Sequence, residues 1–246
     1  MRKLLVIGLG TGDASLLTGQ AIAALRRVDV FFVPDKGEEK AELRERRIEI
    51  CREALGGRTP RFVEFASPRR AKEFRDYKAN VEEWHARIAG EYARLFDNEL
   101  KDGQIGGLLI WGDPSLYDST LRILERLGVD YDVIPGISSV QLLAARHRIP
   151  LNRIGEAVVI TPARRLAEPL GDSTVVVLDG ERSYRKLDGE RYDIYWAAYL
   201  GTADEILVAG KLADVKGEID AKREAARAAK GWIMDTYLLR RRRDDR

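Results

Sequence analysis

The chain has a single cysteine, Cys51, so neither an internal disulfide nor a Cys-rich metal site can be assembled, and Cys51 reads as a buried spectator. Long apolar runs are also missing. The longest, residues 106–111 and 174–178, are no longer than a strand. No membrane span and no signal peptide ahead of Leu4 are therefore expected, which points to a cytoplasmic protein without a membrane partner. Nor does one charge dominate: 42 Lys and Arg against 40 Asp and Glu leave a formal net charge of +2. No global field draws nucleic acid, and the Arg240-Arg241-Arg242-Arg243 run reads as a solvated tail. Repeats and low-complexity stretches are absent. The 246 residues, 45% of them hydrophobic, suffice for one large or two small domains with cores of their own.

What the chain does have is a regular alternation of short apolar runs and helical patterns. Leu4-Leu5-Val6-Ile7 followed by Gly8-Leu9-Gly10-Thr11-Gly12 reads as a buried strand feeding a glycine turn. A dinucleotide-binding fingerprint would place its third glycine at position 13, yet Asp13 stands there, a carboxylate where a pyrophosphate would sit. Helical patterns follow over residues 13–27, 38–55, 72–96 and 119–127, and strands over 28–33, 61–65, 106–111 and 130–134. This is α/β with a mostly parallel sheet. From residue 157 the strands crowd together, at 157–161, 174–178, 194–198, 205–209 and 231–239, with one strong helix at 220–230. A domain boundary is expected between residues 111 and 155, placed at 114/115, which gives domains 1–114 and 115–246.

In open α/β sheets ligands collect beyond the carboxyl ends of strands, and the unusual residues of this chain fall there. Gly112-Asp113-Pro114 ends one strand, where glycine lets backbone approach a ligand and a carboxylate can accept hydrogen bonds from a ribose or an amine. Gly8-Leu9-Gly10-Thr11-Gly12-Asp13 with Leu16-Leu17-Thr18, then Trp111-Gly112-Asp113-Pro114-Ser115-Leu116-Tyr117, then Val133-Ile134-Pro135-Gly136-Ile137-Ser138-Ser139 resemble, in order and separation, the tetrapyrrole methylase family. Further similarity lies in Val33-Pro34-Asp35-Lys36-Gly37, Ile149-Pro150-Leu151-Asn152-Arg153-Ile154-Gly155 and Gly231-Trp232-Ile233-Met234-Asp235-Thr236-Tyr237-Leu238, so the likeness covers nearly the whole chain.

The resemblance implies two α/β domains of the tetrapyrrole methylase type with the active-site cleft between them, the N-terminal one on the substrate side. It implies S-adenosyl-L-methionine as cofactor, a sulfonium-bearing amino acid without phosphate, which an acid at position 13 does not repel. It implies a precorrin substrate, methylated at C-1 of precorrin-5 with loss of the acetyl group as acetate, and a homodimer. Carried over by motif, Thr11, Trp111, Gly112, Asp113, Leu116 and Tyr117 would line the cofactor site, Ser138 and Ser139 would meet its amino acid end, and Asp179, Ala198, Tyr199 and Leu200 would complete it. Two positions depart from the pattern: a relative has an apolar residue where Asp179 lies, and Pro34 stands where some members put a catalytic Asp, a role adjacent Asp35 could take.

Methyl transfer to an electron-rich carbon asks for alignment and exclusion of water, and no metal. Loss of the acetyl group asks for a base and an oxyanion donor, for which Asp13, Asp35, Tyr117 and Asp118 are candidates, each equally able to cap a helix or turn. His85 and His147 read as structural or solvated. The carboxylates of a precorrin call for basic loops, and Arg69, Arg70, Arg164 and Arg165 fall in loop-like segments, where plain surface arginines are the alternative. Other readings stay open: a methylase of the same fold acting on another precorrin or on translation machinery, an NAD-dependent oxidoreductase using Gly8, Gly10 and Asp35, or a nucleic-acid-binding protein using the arginine tail.

Overall fold

A computed structural model describes residues 2–35, 37, 41–58, 60–71 and 75–242. The chain divides into two compact units, Met1–Ser138 and Ser139–Arg246. The first contains β1 (Lys3–Gly8), α1 (Gly19–Leu25), β2 (Val30–Asp35), α2 (Ala41–Leu55), β3 (Arg61–Ala66), α3 (Tyr77–Glu99), β4 (Ile105–Ile110), α4 (Thr120–Leu127) and β5 (Tyr131–Ile134).

These five strands form one sheet in the order β3-β2-β4-β1-β5, parallel at every pairing. β1 is buried on both faces, which is why it reads as an unbroken apolar run rather than an alternation. Its side chains divide by parity. Leu4 and Val6 pack with Phe32, Leu108 and the α3 residues Ile88, Tyr92, Leu95 and Phe96, whereas Leu5 and Ile7 pack with Phe31, Val33, Leu25 and the α2 residues Ile50 and Cys51. Each buried Leu, Ile or Phe contributes about 1.5–3 kcal/mol over an exposed one. Cys51 is buried and its thiol is pushed up to about 12 by that burial, an unreactive group.

The second unit contains α5 (Ser139–His147), β6 (Val158–Pro162), β7 (Ser173–Val177), β8 (Tyr192–Ala198), β9 (Ile206–Lys211), α6 (Leu212–Lys230) and β10 (Asp235–Arg241). Its sheet runs β6-β7-β10-β8-β9, and only β6 and β7 pair parallel. Tyr184, Trp196, Tyr237, Ile219 and Leu212 fill its core.

Several expectations shift. The arginine run is no solvated tail at its start: Arg240 and Arg241 belong to β10, and Arg240 is buried and donates to Pro150 O, because the strand pairs with β7 and β8 as far as these residues. The helix foreseen over 13–27 is split into a 3-10 turn, Ala14–Leu16, and α1, because Asp13 and Thr18 each cap a new start: Asp13 accepts from Ser15 N at 2.7 Å and Thr18 from Ala21 N at 3.0 Å. α6 begins at Leu212, eight residues before the expected 220, and α5 was not foreseen at all. The division falls after Ser138 rather than at 114/115, since β5 pairs along β1 and so brings α4 and residues 115–138 into the first unit. Lys36, residues 38–40 and 72–74 of the expected helices and Arg243 of the arginine run lie outside the described residues.

Candidate active site

Parallel pairing puts the carboxyl ends of all five strands of the first sheet on one edge, and most of the sequence-selected residues follow those ends. The loops after β1 and β4 meet backbone to backbone: Gly112 N donates to Gly10 O at 2.7 Å and Gly10 N to Gly112 O at 3.3 Å. The loop after β5 closes on both. A Cβ at Gly136 would lie 2.2 Å from Gly112 O, and one at Gly8 would lie 2.5 Å from Gly136 N, so only glycine permits the approach.

Asp113 ties this knot. Its Oδ2 accepts from Gly136 N at 2.9 Å and its Oδ1 from Ser115 N at 2.8 Å and from the Ser115 hydroxyl. Burial pushes its pKa up, but those hydrogen bonds from Ser115 and Gly136 win and hold the carboxyl below its ordinary value. Thr18, capping α1, reaches Pro135 O at 3.4 Å.

Beside the knot lie buried polar atoms with no partner among the described residues: Thr11 Oγ1, Trp111 Nε1 and, on α2, Arg47 Nε. The antiparallel sense of the Gly10–Gly112 bridge makes Thr11 and Trp111 the next facing positions. Buried polar groups are usually satisfied, so such a cluster at a sheet edge is able to hydrogen-bond with a polar ligand. Leu116 is half-buried here, Ser138 is buried, and Tyr117 is 45% exposed with φ of 54°, a left-handed conformation that is costly for a bulky side chain.

The candidate acids are largely engaged. Asp13 caps the 3-10 turn, Asp118 accepts from Thr120 N at 2.7 Å, and Asp35 accepts from Gly37 N at 2.9 Å and pairs with Arg44 at 3.2 Å. Asp35 ends β2, on the far side of β4 from the β1 loop. Arg69 and Arg70 are exposed beyond β3, Arg70 standing over the Tyr77 ring at 5.3 Å. His85 is 3% exposed on α3.

In the second unit the register brings another set together. Val177 pairs with Pro162 and Thr236, and Ala198 pairs with Asp235, so Arg164 and Arg165, Asp179, and Tyr199 and Leu200 all leave one edge of that sheet. Ser139 is there too, accepting from the Thr236 hydroxyl at 3.2 Å. Asp179, however, is 4% exposed and its carboxylate is occupied by Tyr237 Oη at 2.7 Å, Ser183 N at 2.7 Å, Glu181 N at 3.0 Å and Ser183 Oγ at 3.2 Å. It holds a turn; the preceding Leu178, with φ of 57° and 61% exposed, is what that turn presents. Tyr199 is 1% exposed and donates to Trp232 O at 2.7 Å, and Ala198 is fully buried. Arg164 and Arg165 are exposed.

The sequence profile of the tetrapyrrole (corrin/porphyrin) methylases matches residues 3–216. The chain belongs to the tetrapyrrole methylases. Among curated proteins this methylase is 49% identical, over 99% of its own length and 97% of the relative's, to precorrin-6A synthase [deacetylating] of a Sinorhizobium species. It is 27% identical to a probable cobalt-precorrin-2 C(20)-methyltransferase of Methanocaldococcus jannaschii, over 87% and 90% of the two chains. Among solved structures, a cobalamin synthesis related protein, CobF, of Corynebacterium diphtheriae superposes with a TM-score of 0.82 at 36% identity, covering 98% of each chain. The cobalt precorrin-4 methyltransferase CbiF, 17% identical with a TM-score of 0.64, shares the methylase fold.

The methylase's glycine knot and its unpartnered Thr11 and Trp111 fit a polar ligand that needs close backbone approach. Sequence reading found this edge but missed Arg47, whose only sequence signal is a charged residue four positions before Cys51, on the face that α2 turns to the core. Among the described residues no helix is long and apolar enough to cross a membrane.

Proposed function

We propose that the chain is an S-adenosylmethionine-dependent C-methyltransferase of cobalamin biosynthesis, methylating C-1 of precorrin-5 and releasing its acetyl group as acetate to give precorrin-6A. The observation that carries this reading is the near full-length, 49% identical relative, precorrin-6A synthase [deacetylating]. When bound, S-adenosylmethionine supplies a methyl group activated by its sulfonium.

In this reading Thr11, Trp111, Gly112, Asp113, Leu116 and Ser138 of the first unit hold the cofactor. Gly112 offers backbone with open space, the nearest atom to an added Cβ being Ser138 Cα at 3.8 Å. Asp113 positions rather than reacts, because its hydrogen bonds fix the loops after β4 and β5. In the second unit Leu178 takes the ligand-facing role that the sequence pattern gave to Asp179, and Asp179 holds Leu178 in place. Fixed alignment and water exclusion can lower such a barrier by about 7–11 kcal/mol.

Removal of the acetyl group needs more from the protein. Water adds to the ketone carbonyl, the carbon–carbon bond breaks with its electron pair retained by the macrocycle, and acetate departs. Asp13, Asp35 and Asp118 are the carboxylates at this edge able to take the proton from water, and the exposed Tyr117 can donate to the developing oxyanion.

Calorimetric titration with S-adenosylmethionine, S-adenosylhomocysteine and NAD tests the reading. Saturable binding of the two adenosyl amino acids, weakened by Asp113→Ala, with none for NAD, is expected. Binding of NAD alone, or of none of the three, would overturn it.

A further inference from the structure

The guanidinium of Arg47 has no acid partner among the described residues. Arg47 lies on the N-terminal half of α2, which follows β2 and so starts at the carboxyl edge of the first sheet. Its neighbour Arg46 anchors that turn of helix to the glycine loop, donating from Nε to Gly12 O at 2.8 Å. Arg47 itself stands over the Trp111 ring at 5.7 Å, donates Nη1 to Leu43 O at 3.3 Å, and has its Nε buried without a partner. No carboxylate of the described residues comes within ion-pair distance, whereas Arg44 has Asp35 and Arg223 has Asp235; Arg240 also lacks one, but its guanidinium is spent on Pro150 O. Asp118 and Tyr92 face it at longer range. Burial pulls its pKa below the ordinary arginine value, the Asp118 charge opposing.

Leaving a guanidinium partly desolvated and unpaired is unfavourable. Burial of this kind is more economical when an anion completes it. The exposed Arg69, Arg70, Arg164 and Arg165 are weaker candidates for that work, since an ion pair in solvent contributes little.

We infer that Arg47, 5.7 Å from the Trp111 ring, is the anion-recognition residue of the first unit and that it binds a carboxylate of the ligand. The inference rests on the methylase reading, in which the ligands carry anionic groups of one kind only, carboxylates: one on the methionine part of the cofactor, and the acetate and propionate arms of the tetrapyrrole. A planar guanidinium carries several N–H donors in a fixed fork, which suits a carboxylate better than a single ammonium would. The unpartnered Trp111 Nε1 and Thr11 Oγ1 lie in the same cluster and supply further hydrogen bonds.

The test is calorimetry on the full chain, wild type, Arg47→Met and Arg47→Lys, with four probes: S-adenosylhomocysteine, 5′-methylthioadenosine, which lacks the amino acid, uroporphyrin, and uroporphyrin methyl ester. Loss of one charge-assisted hydrogen-bonded pair weakens binding about ten- to a hundredfold. Arg47→Met is expected to lose that much for S-adenosylhomocysteine or for uroporphyrin, with the carboxylate-free member of the same pair unaffected, and Arg47→Lys to recover part of it. A loss confined to S-adenosylhomocysteine assigns the methionine carboxylate; one confined to uroporphyrin assigns a macrocycle arm. Where Arg47→Met melts well below wild type, the Arg47→Lys comparison decides, and a lysine variant with wild-type affinity for both carboxylate probes counts against the inference. Wild type that binds its probes while both variants match it overturns the inference alone. Wild type that binds no probe overturns the methylase reading with it.

Discussion

Asp113 Oδ2 accepts the backbone N–H of Gly136 at 2.9 Å, so a single carboxylate joins the loop after β4 to the loop after β5. Asp113→Ala leaves that N–H and the Ser115 N–H without their acceptor, and a loss of about 1–3 kcal/mol is expected in urea unfolding at neutral pH. The carboxyl is held below its ordinary value in the folded chain. Its contribution is therefore present above the unfolded pKa and lost as pH falls through the folded one, a window below about pH 4. Asp113→Asn should flatten this acid limb; an unchanged limb would show that another group sets it.

Gly136→Ala drives a Cβ to within 2.2 Å of Gly112 O, a backbone atom that cannot turn aside. A destabilisation of at least about 1–3 kcal/mol is expected, with loss of S-adenosylhomocysteine binding. Gly90→Ala in α3 meets nothing within 4 Å and should instead stabilise by about 0.5–1 kcal/mol. Equal effects at the two sites would contradict the packing account.

His85 provides a pH test of stability. It is 3% exposed, its Nε2 has no partner, and its pKa is lowered by burial first and by Arg126 next, with Glu82 opposing. The unfolded chain then binds the proton more readily, so stability is full above about pH 6.5 and falls as pH drops toward the folded pKa. His85→Phe, which keeps a ring beside Trp84, should remove this component from the urea midpoint measured between pH 5 and 7.5. A midpoint slope identical to wild type would refute the assignment.

In the second unit Arg223 and Asp235 pair at 2.9 Å with side chains 2% and 3% exposed, and Trp196 Nε1 donates to the same carboxylate at 3.0 Å. Asp235→Ala strands a buried guanidinium and should cost about 3–5 kcal/mol. Tyr237→Phe, removing one of four donors to Asp179, should cost about 0.5–1.5 kcal/mol. Thermal unfolding of the two variants checks the order; a milder Asp235→Ala would contradict it.

The first sheet was legible because β1, β2 and β4 are apolar on both faces and its turns carry Gly, Asp and Pro, all local features. What was not local was not legible. β5 belongs with the first unit only because it pairs with β1, more than a hundred residues earlier, and no composition shift at position 114 records that. α5 hides behind Pro135-Gly136, where a strand was read to end, although Val140, Leu142 and Leu143 are its buried face. Asp179-Gly180 has the look of a ligand-binding strand end, and its fate was settled by Tyr237, 58 residues away. Arg47 lay unnoticed in a helix crowded with Arg44 and Arg46, since only packing separates a solvated arginine from a desolvated one.

The central claim is one methylation coupled to one deacetylation. Purified protein is incubated with S-adenosylmethionine and precorrin-5, with acetate and S-adenosylhomocysteine both quantified and the tetrapyrrole weighed by mass spectrometry. Acetate equal to S-adenosylhomocysteine, with a product that has gained a methyl and lost an acetyl group, is the result the account predicts. A methylated product that keeps its acetyl group, with no acetate released, would contradict it and place the chain with the methylases that modify a precorrin without deacetylation.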